Sequence, residues 1–357
     1  MNIAIDISPL KKGHFLLHRV RGTGFYIENL KNSLLKYYPD NKYLYFTQGE
    51  KLPEKVELTH CPYFEPFFIT LSLIKKTKTI VTVHDLTPFV FPKNFPAGFK
   101  GNLKWQIQKF SLKRADGIIT DSECSKKDII KYAGISSLKI SVVYLAAGEE
   151  YRKVESSSAS WRIKAQNLRK KYNLPEKFLL YVGDATWNKN LPRLIEAVNR
   201  INLPLVMVGK ALSEKNFDKT NPWNQDLIKI QESIKNNSKI IALGFIPTED
   251  LVNIYNLAEV FVMPSLYEGF GLPILEAMSC GCPVITSKEG SLPEIAGDAA
   301  VYVDPYDVTN IAAGIKKVFS DKTLKKKLSE IGLEQARKFS WEKTALETLK
   351  VYKKAVL

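Results

Sequence analysis

The most evident chemistry in this sequence lies between Pro264 and Pro283, in the stretch PSLYEGFGLPILEAMSCGCP, which holds Glu268, Gly269, Phe270, Gly271 and Glu276. A glycine loop that opens a helix lets backbone N–H groups come close to a ligand. The helix N-terminus adds partial positive charge, and together they suit a phosphate. One carboxylate before the helix and one on it can reach to either side of such a phosphate, and sugar hydroxyls are fitting partners for both. Lys189 stands before a helix at the first strand-to-helix crossing of the second half, where an ammonium complements a phosphate. His84 ends an apolar run, Thr79 to His84, and so falls at a strand's carboxyl end, where open α/β sheets bind ligands. His14, His18 and His60 have no comparable position.

These residues need elements to hold them. Short apolar runs at 2–7, 42–47, 79–84, 115–120 and 139–144 read as strands of a first half, and 178–183, 205–209, 240–244, 258–263 and 283–286 as strands of a second. Helical patterns separate them, at 25–38 and 126–132, then at 191–199, 248–257 and 272–279, and a helical region from 308 to 339 precedes a last helix at 341–356. Alternation of strand and helix predicts an α/β chain with a parallel sheet in each half. The expected domains are 1–160, 174–338 and a C-terminal helix at 339–357, with 148–173 as linker and approach. Arg19, Arg21 and the Gly22-Thr-Gly24 turn are read as a loop after the first strand, and Asp121 to Ser125 as a helix cap.

A chain of 357 residues is too long for one ordinary core, and 45% hydrophobic with 25% charged residues is ordinary for a globular protein. No run approaches the length of a membrane span and no leader is apparent, so a cytoplasmic chain is expected. Four scattered cysteines do not make a disulfide framework. Cys280-Gly-Cys282 lacks a second ligand pair, so no metal site is expected. The net charge of +15 is concentrated: from Lys75 to Arg114 there are nine basic residues against one acid, Asp85. With Phe95, Phe99, Trp105 and Phe110 interleaved, this segment reads either as a face for an anionic membrane surface or as a solvated helix whose aromatics pack inward. No nucleic-acid-binding pattern accompanies the charge, so nucleic acid is not an expected partner.

Taken together, RGTGFYIENL, VTVHDLTPF, ADGIITDSECSKKDI, YVGDATWNKNLPRLIEAV, LGFIPTEDLVNIY, the central stretch and SLPEIAGDAAVYVDP resemble the large retaining glycosyltransferase family of GT-B fold often called family four. Its E-x7-E element corresponds here to Glu268 through Glu276. The resemblance covers nearly the whole length. It implies two facing Rossmann-like domains, an acceptor bound by the first and a nucleotide-diphosphate sugar by the second, no metal or other cofactor, and a C-terminal helix that returns to the first domain. It implies that Glu276 binds ribose hydroxyls, that Glu268 binds the transferred sugar, and that Lys189 with the backbone of Gly269, Phe270 and Gly271 holds the diphosphate. His84 is then close to the sugar and the reacting bond. Many members carry an arginine soon after the glycine matching Gly183, where this chain has Asp184, so backbone and helix-end donors are expected to contribute more. The overall pattern is most similar to the mannosyltransferases of bacterial surface-polysaccharide synthesis, which implies a saccharide or polyprenol-linked acceptor and a peripheral place at the inner face of the cell membrane. Rival readings are a sugar-nucleotide epimerase or a phosphorylase of the same fold, and a non-catalytic nucleotide-sugar-binding subunit.

Overall fold

The computed structural model describes residues 1–11, 21–52, 54–155, 157–235 and 237–357. His14, His18 and Arg19 lie outside the described residues. The chain forms two compact units, 1–146 with 339–357, and 147–338. The stretch from 148 to 173, read from sequence as a linker, therefore belongs to the second unit. Its helix, Ala159–Tyr172, is capped by Ser158 and ends in a left-handed Asn173.

The first unit is built on a parallel sheet of order β2-β1-β3-β4-β5-β6. Its strands are β1 (Asn2–Asp6), β2 (Lys42–Phe46), β3 (Leu58–Cys61), β4 (Lys78–Thr82), β5 (Gly117–Thr120) and β6 (Ile140–Val142). The helix after β1 spans Arg21–Tyr37, so Gly22 and Gly24 lie in its first turns and not in a loop. One face of the sheet packs against this helix and against the C-terminal helix Trp341–Val356, as expected for a helix that returns to the first unit. On that face His60 is fully buried between two hydrogen-bond partners: Tyr352 OH is 2.6 Å from Nδ1, and Thr82 Oγ1 is 2.8 Å from Nε2. Burial, with the neighbouring His84 adding to it, pushes the His60 pKa down to about 3, so the ring is neutral and its two nitrogens fill one donor and one acceptor role.

The second unit holds a parallel sheet of order β12-β11-β10-β7-β8-β9. Its strands are β7 (Leu179–Val182), β8 (Leu205–Val208), β9 (Ile240–Leu243), β10 (Val260–Met263), β11 (Val284–Ser287) and β12 (Ala300–Val303). The central strands β7, β8, β10 and β11 are almost wholly buried, as continuous apolar runs covered on both faces must be. The region read as one helical stretch from 308 to 339 is two helices, Val308–Ser320 and Lys322–Ala336, divided at Asp321, whose carboxylate caps the second by accepting from Leu324 N.

The aromatics of the basic segment divide between core and surface: Trp105, on helix Gly98–Lys113, and Phe95 are buried, while Phe99 and Phe110 are 86% and 55% exposed.

Tyr352→Phe removes the hydrogen-bond partner of a buried imidazole nitrogen while leaving the packing in place. It should cost about 1–3 kcal/mol, read as a lower midpoint in urea denaturation, with near-native circular dichroism.

Candidate functional site

The strand order of the second sheet reverses at its middle, since the chain runs from β7 outward to β8 and β9 and from β10 outward to β11 and β12. Loops leaving the carboxyl ends of β7 and β10 diverge there and open the crevice in which such sheets take ligands. Lys189 lies on the first loop and Glu268, Gly269, Phe270 and Gly271 on the second, directly ahead of the helix Leu272–Ser279 that carries Glu276.

The two loops are joined side chain to side chain. Lys189 Nζ donates to both carboxylate oxygens of Glu268, at 2.7 and 2.9 Å. The Glu268 side chain is 9% exposed and that of Lys189 20%, so the pair is largely screened from water and its loss would leave a buried charge. Asn188 and Asn190 reinforce the junction. Asn188 Nδ2 donates to Tyr267 O at 2.9 Å, and Leu266 N donates to Asn188 O at 2.7 Å. Asn190 sits at φ 59°, a left-handed conformation that asparagine tolerates, and its Nδ2 donates to Pro264 O and Pro305 O.

A third loop, after β11, supports the second. Ser291 Oγ donates to Glu268 O at 3.0 Å and to Phe270 O at 2.8 Å, and Ser291 N also donates to Glu268 O. This approach needs Gly290, which has φ +62° and where a Cβ would stand 2.6 Å from Glu268 O. Gly271, at φ +96°, turns the chain into the helix, whose first turn holds Pro273. Asn188, Asn190, Gly290 and Ser291 were not singled out from sequence, although an asparagine just ahead of a Leu-Pro helix start and a Gly-Ser-Leu-Pro turn are both readable signals.

Glu276 is not joined to Glu268. It faces the helix Thr248–Leu257, where Tyr255 OH donates to Glu276 Oε2 at 2.8 Å. Burial raises its pKa to about 7, hydrogen bonds from Tyr255 and Tyr151 oppose that, and Glu150 adds to it. Its charge therefore changes within the physiological range.

In the first unit, His84 lies two residues beyond β4. Its Nδ1 is 2.6 Å from Asp121 Oδ2, on the loop after β5, and Tyr26 packs edge-on against its ring at 4.9 Å between centroids. His84 Nε2 makes no hydrogen bond of ordinary geometry among the described residues, while the Pro62 carbonyl lies near enough to favour the charged ring. Burial opposes the charged imidazole, but the Asp121 carboxylate outweighs it and holds the His84 pKa above its ordinary value. Asp121, read from sequence only as part of a helix cap, is thus the group that orients this ring; the cap itself is Ser122, which accepts from Ser125 N.

Two pH effects follow. Because the folded-state pKa of Glu276 is raised from 4.5 to about 7, its contribution to stability is full below pH 4.5 and is lost as pH rises through 7. Glu276→Gln should match the wild type at pH 4.5 and gain on it progressively, to roughly 3 kcal/mol above pH 8, measured by denaturation across pH. For His84 the ion-pair contribution is lost as pH rises through its raised pKa, and at the acid end it is lost again as Asp121, itself raised by burial, takes up a proton. Asp121→Asn should lower the imidazole pKa to below its ordinary value, read by NMR titration.

Residues 164–335 match the family profile described as glycosyl transferases group 1, and 14–147 match that of glycosyltransferase family 4. The chain is 34% identical over 284 residues to O-antigen chain mannosyltransferase B of Escherichia coli, covering 77% of this chain and 70% of that protein. It is 32% identical over 276 residues to the serotype-specific mannosyltransferase WbdA of Escherichia coli, covering 75% of this chain; the match spans 32% of WbdA, about a third of that protein. Among solved structures, sucrose-phosphate synthase from Thermosynechococcus elongatus superposes with a TM-score of 0.75 at 19% identity, over 99% of this chain and 98% of that one. HepE from Anabaena, solved with UDP and glucose, gives 0.72 at 17% identity, over 99% of both chains. These two likenesses establish the fold, GT-B, while the profiles and the first relative establish the lineage: the chain belongs to the family-four, group 1 glycosyltransferases.

Proposed function

We propose that this protein is a retaining, metal-independent glycosyltransferase that moves a hexose, mannose by preference, from a nucleotide-diphosphate donor to a saccharide or lipid-linked saccharide in surface-polysaccharide synthesis. The observation that carries this reading is the Lys189–Glu268 contact beside the Gly269–Gly271 loop at a helix N-terminus, with Glu276 on that helix. A cation, a helix end and two carboxylates at one switch point match the parts of a nucleotide-diphosphate sugar. The preference for mannose comes from the two Escherichia coli relatives, both named as mannosyltransferases. HepE was solved with UDP, in keeping with a nucleotide donor for this fold.

In this reading Lys189 moves from Glu268 to the diphosphate when the donor binds, and the freed carboxylate orients the hydroxyls of the sugar. The backbone of Gly269, Phe270 and Gly271 and the helix end share the phosphate charge, which supplies by fixed electrostatics what a cation supplies elsewhere. Glu276, when ionised, accepts from the ribose hydroxyls. The bond from the anomeric carbon to the diphosphate breaks as the acceptor oxygen attacks on the same face, and the leaving phosphate oxygen takes the acceptor's proton. His84 has a part in transfer because it stands just past a strand's carboxyl end and its ring is held by Asp121. The exposed apolar and basic face of helix Gly98–Lys113 is the proposed contact with an anionic membrane surface, which suits a polyprenol-linked acceptor.

The test is a panel of nucleotide-diphosphate hexoses, scored for binding by calorimetry and for transfer or hydrolysis by product analysis. The reading expects one donor to bind and turn over without added metal. Lys189→Ala should weaken that donor at least tenfold, and Glu268→Gln should keep donor affinity while slowing transfer on the order of a hundredfold. Full transfer rate in Glu268→Gln, or conversion of the donor sugar without any acceptor, overturns the assignment, the latter in favour of an epimerase.

A further inference from the structure

The first unit has a second feature, on the sheet face away from His60. Side chains alternate along a strand, so His60, Ile80 and Thr82 face the helices of one layer while Thr59, Cys61, Thr79 and Val81 face the other. These four line a cavity of about 380 Å³. Its origin is topological. Neither the crossover from β2 to β3 nor that from β3 to β4 contains a helix among the described residues, so an irregular segment, 62–77, covers a face that a helix would normally fill.

The cavity wall is mixed, more apolar than polar, and is basic at one end. Phe46, Leu52, Leu71 and Val81 contribute to its wall. The hydroxyls that share the wall are satisfied by the protein: Thr59 pairs with Thr77, Thr79 donates to Thr77 O, and Thr70 donates to Gln108. At the end by the start of β4 stand Lys75, Lys76 and Arg114. Lys75 is tied to Asp116 and Arg114 Nη1 to Leu73 O, whereas Lys76 has no partner among the described residues. Ser111, one helical turn before Arg114, is 9% exposed and lines the cavity, and its Oγ has no hydrogen-bond partner among the described residues. A buried hydroxyl left unpaired in a wall that also carries Lys76, Arg114 and Lys75, the last matched by Asp116, is a place for an anion. The acids of the wall, Asp6 and Glu50, stand at the opposite end, by the carboxyl ends of β1 and β2. Ser8 and Tyr63 hold Asp6, and Lys11 holds Glu50 at 2.9 Å. Ile69, Leu73 and Ile74 are 44%, 52% and 72% exposed beside the cavity.

We propose that this cavity holds the hydrocarbon chain of a phosphate-bearing membrane lipid, with the phosphate at Ser111, Lys76 and Arg114. The basic end lies at the amino edge of the sheet, opposite the edge that carries His84, so the lipid is an anchor and not the acceptor. This deepens the proposed membrane contact, and rests on it, by assigning one lipid molecule a site of its own. The exposed Leu73 and Ile74 would then lie in the interface around it.

The experiment uses the full chain and dodecyl phosphate below its micelle concentration, titrated by calorimetry, with inorganic phosphate and dodecanol as separate controls. Dodecyl phosphate should bind at one site at least tenfold tighter than either control. Lys76→Glu, a surface change, should weaken it about tenfold, Ser111→Ala several-fold, and Leu71→Trp, which fills the cavity, should abolish it; native-like circular dichroism and an unchanged unfolding midpoint of the first unit show that the variants fold. Cosedimentation with phosphatidylglycerol vesicles separates the two ideas. Vesicle binding that charge reversal at Lys100, Lys104, Lys109 and Lys113 removes, together with dodecyl phosphate binding no tighter than inorganic phosphate, overturns the cavity site and leaves the membrane surface standing. Dodecyl phosphate binding unchanged in both Lys76→Glu and Leu71→Trp also overturns it.

Discussion

The second unit depends on one contact, the bidentate hydrogen bonding of Lys189 to Glu268. It joins loops from two neighbouring strands that are far apart in sequence, at the point where the sheet's winding reverses. Every other restraint nearby converges on the same glutamate: Ser291 on its carbonyl, Gly290 against its backbone, Asn188 on the residue before it. The carboxylate and the ammonium are thus held side by side before any ligand arrives. The same pair is self-neutralising. A ligand that takes the ammonium must compensate the carboxylate it releases, and a group with both phosphates and hydroxyls does so.

Much of this was legible in the sequence because strong local signals coincided with the tertiary role. The run Val260–Met263, the glycine loop and the helix Leu272–Ser279 follow each other without a competing reading, and the helix Thr248–Leu257 has the residues predicted for it. Strand β3 was not foreseen because its four residues, Leu58–Cys61, include a threonine and a histidine and are too few to show a period. Strand β12 was passed over for a similar reason, being short and only partly buried at the sheet's edge. In the site, the residues that touch a ligand in the proposed reading announce themselves by type, whereas those that hold them do not. Asn190 and Gly290 act through backbone conformation and close approach, and Asp121 acts through a histidine 37 positions away. Such roles are set by distances that sequence does not carry.

The first unit shows how an omitted element has two effects at once. Crossovers that run without a helix leave a sheet face thinly covered, which produces the cavity. They also leave Ile69, Leu73 and Ile74 with nothing above them, next to a helix whose own Phe99, Leu103 and Phe110 point outward. In the proposed reading, this exposed apolar face and the lysines around it are what an anionic surface would meet.

The hydrogen bond from Tyr352 to His60 spans 292 positions, and with it the first unit is closed by its own last helix. The chain's order of manufacture is therefore not its order of completion. Strands β1 to β6 and the helix Arg21–Tyr37 emerge first but lack the second covering helix until the remaining residues have been made, about 10–40 s later at ordinary rates of synthesis. The second unit, continuous in sequence, can be finished in that interval. A nascent first unit must wait with His60 short of its Tyr352 partner, and the surface awaiting the last helix is what a chaperone would meet.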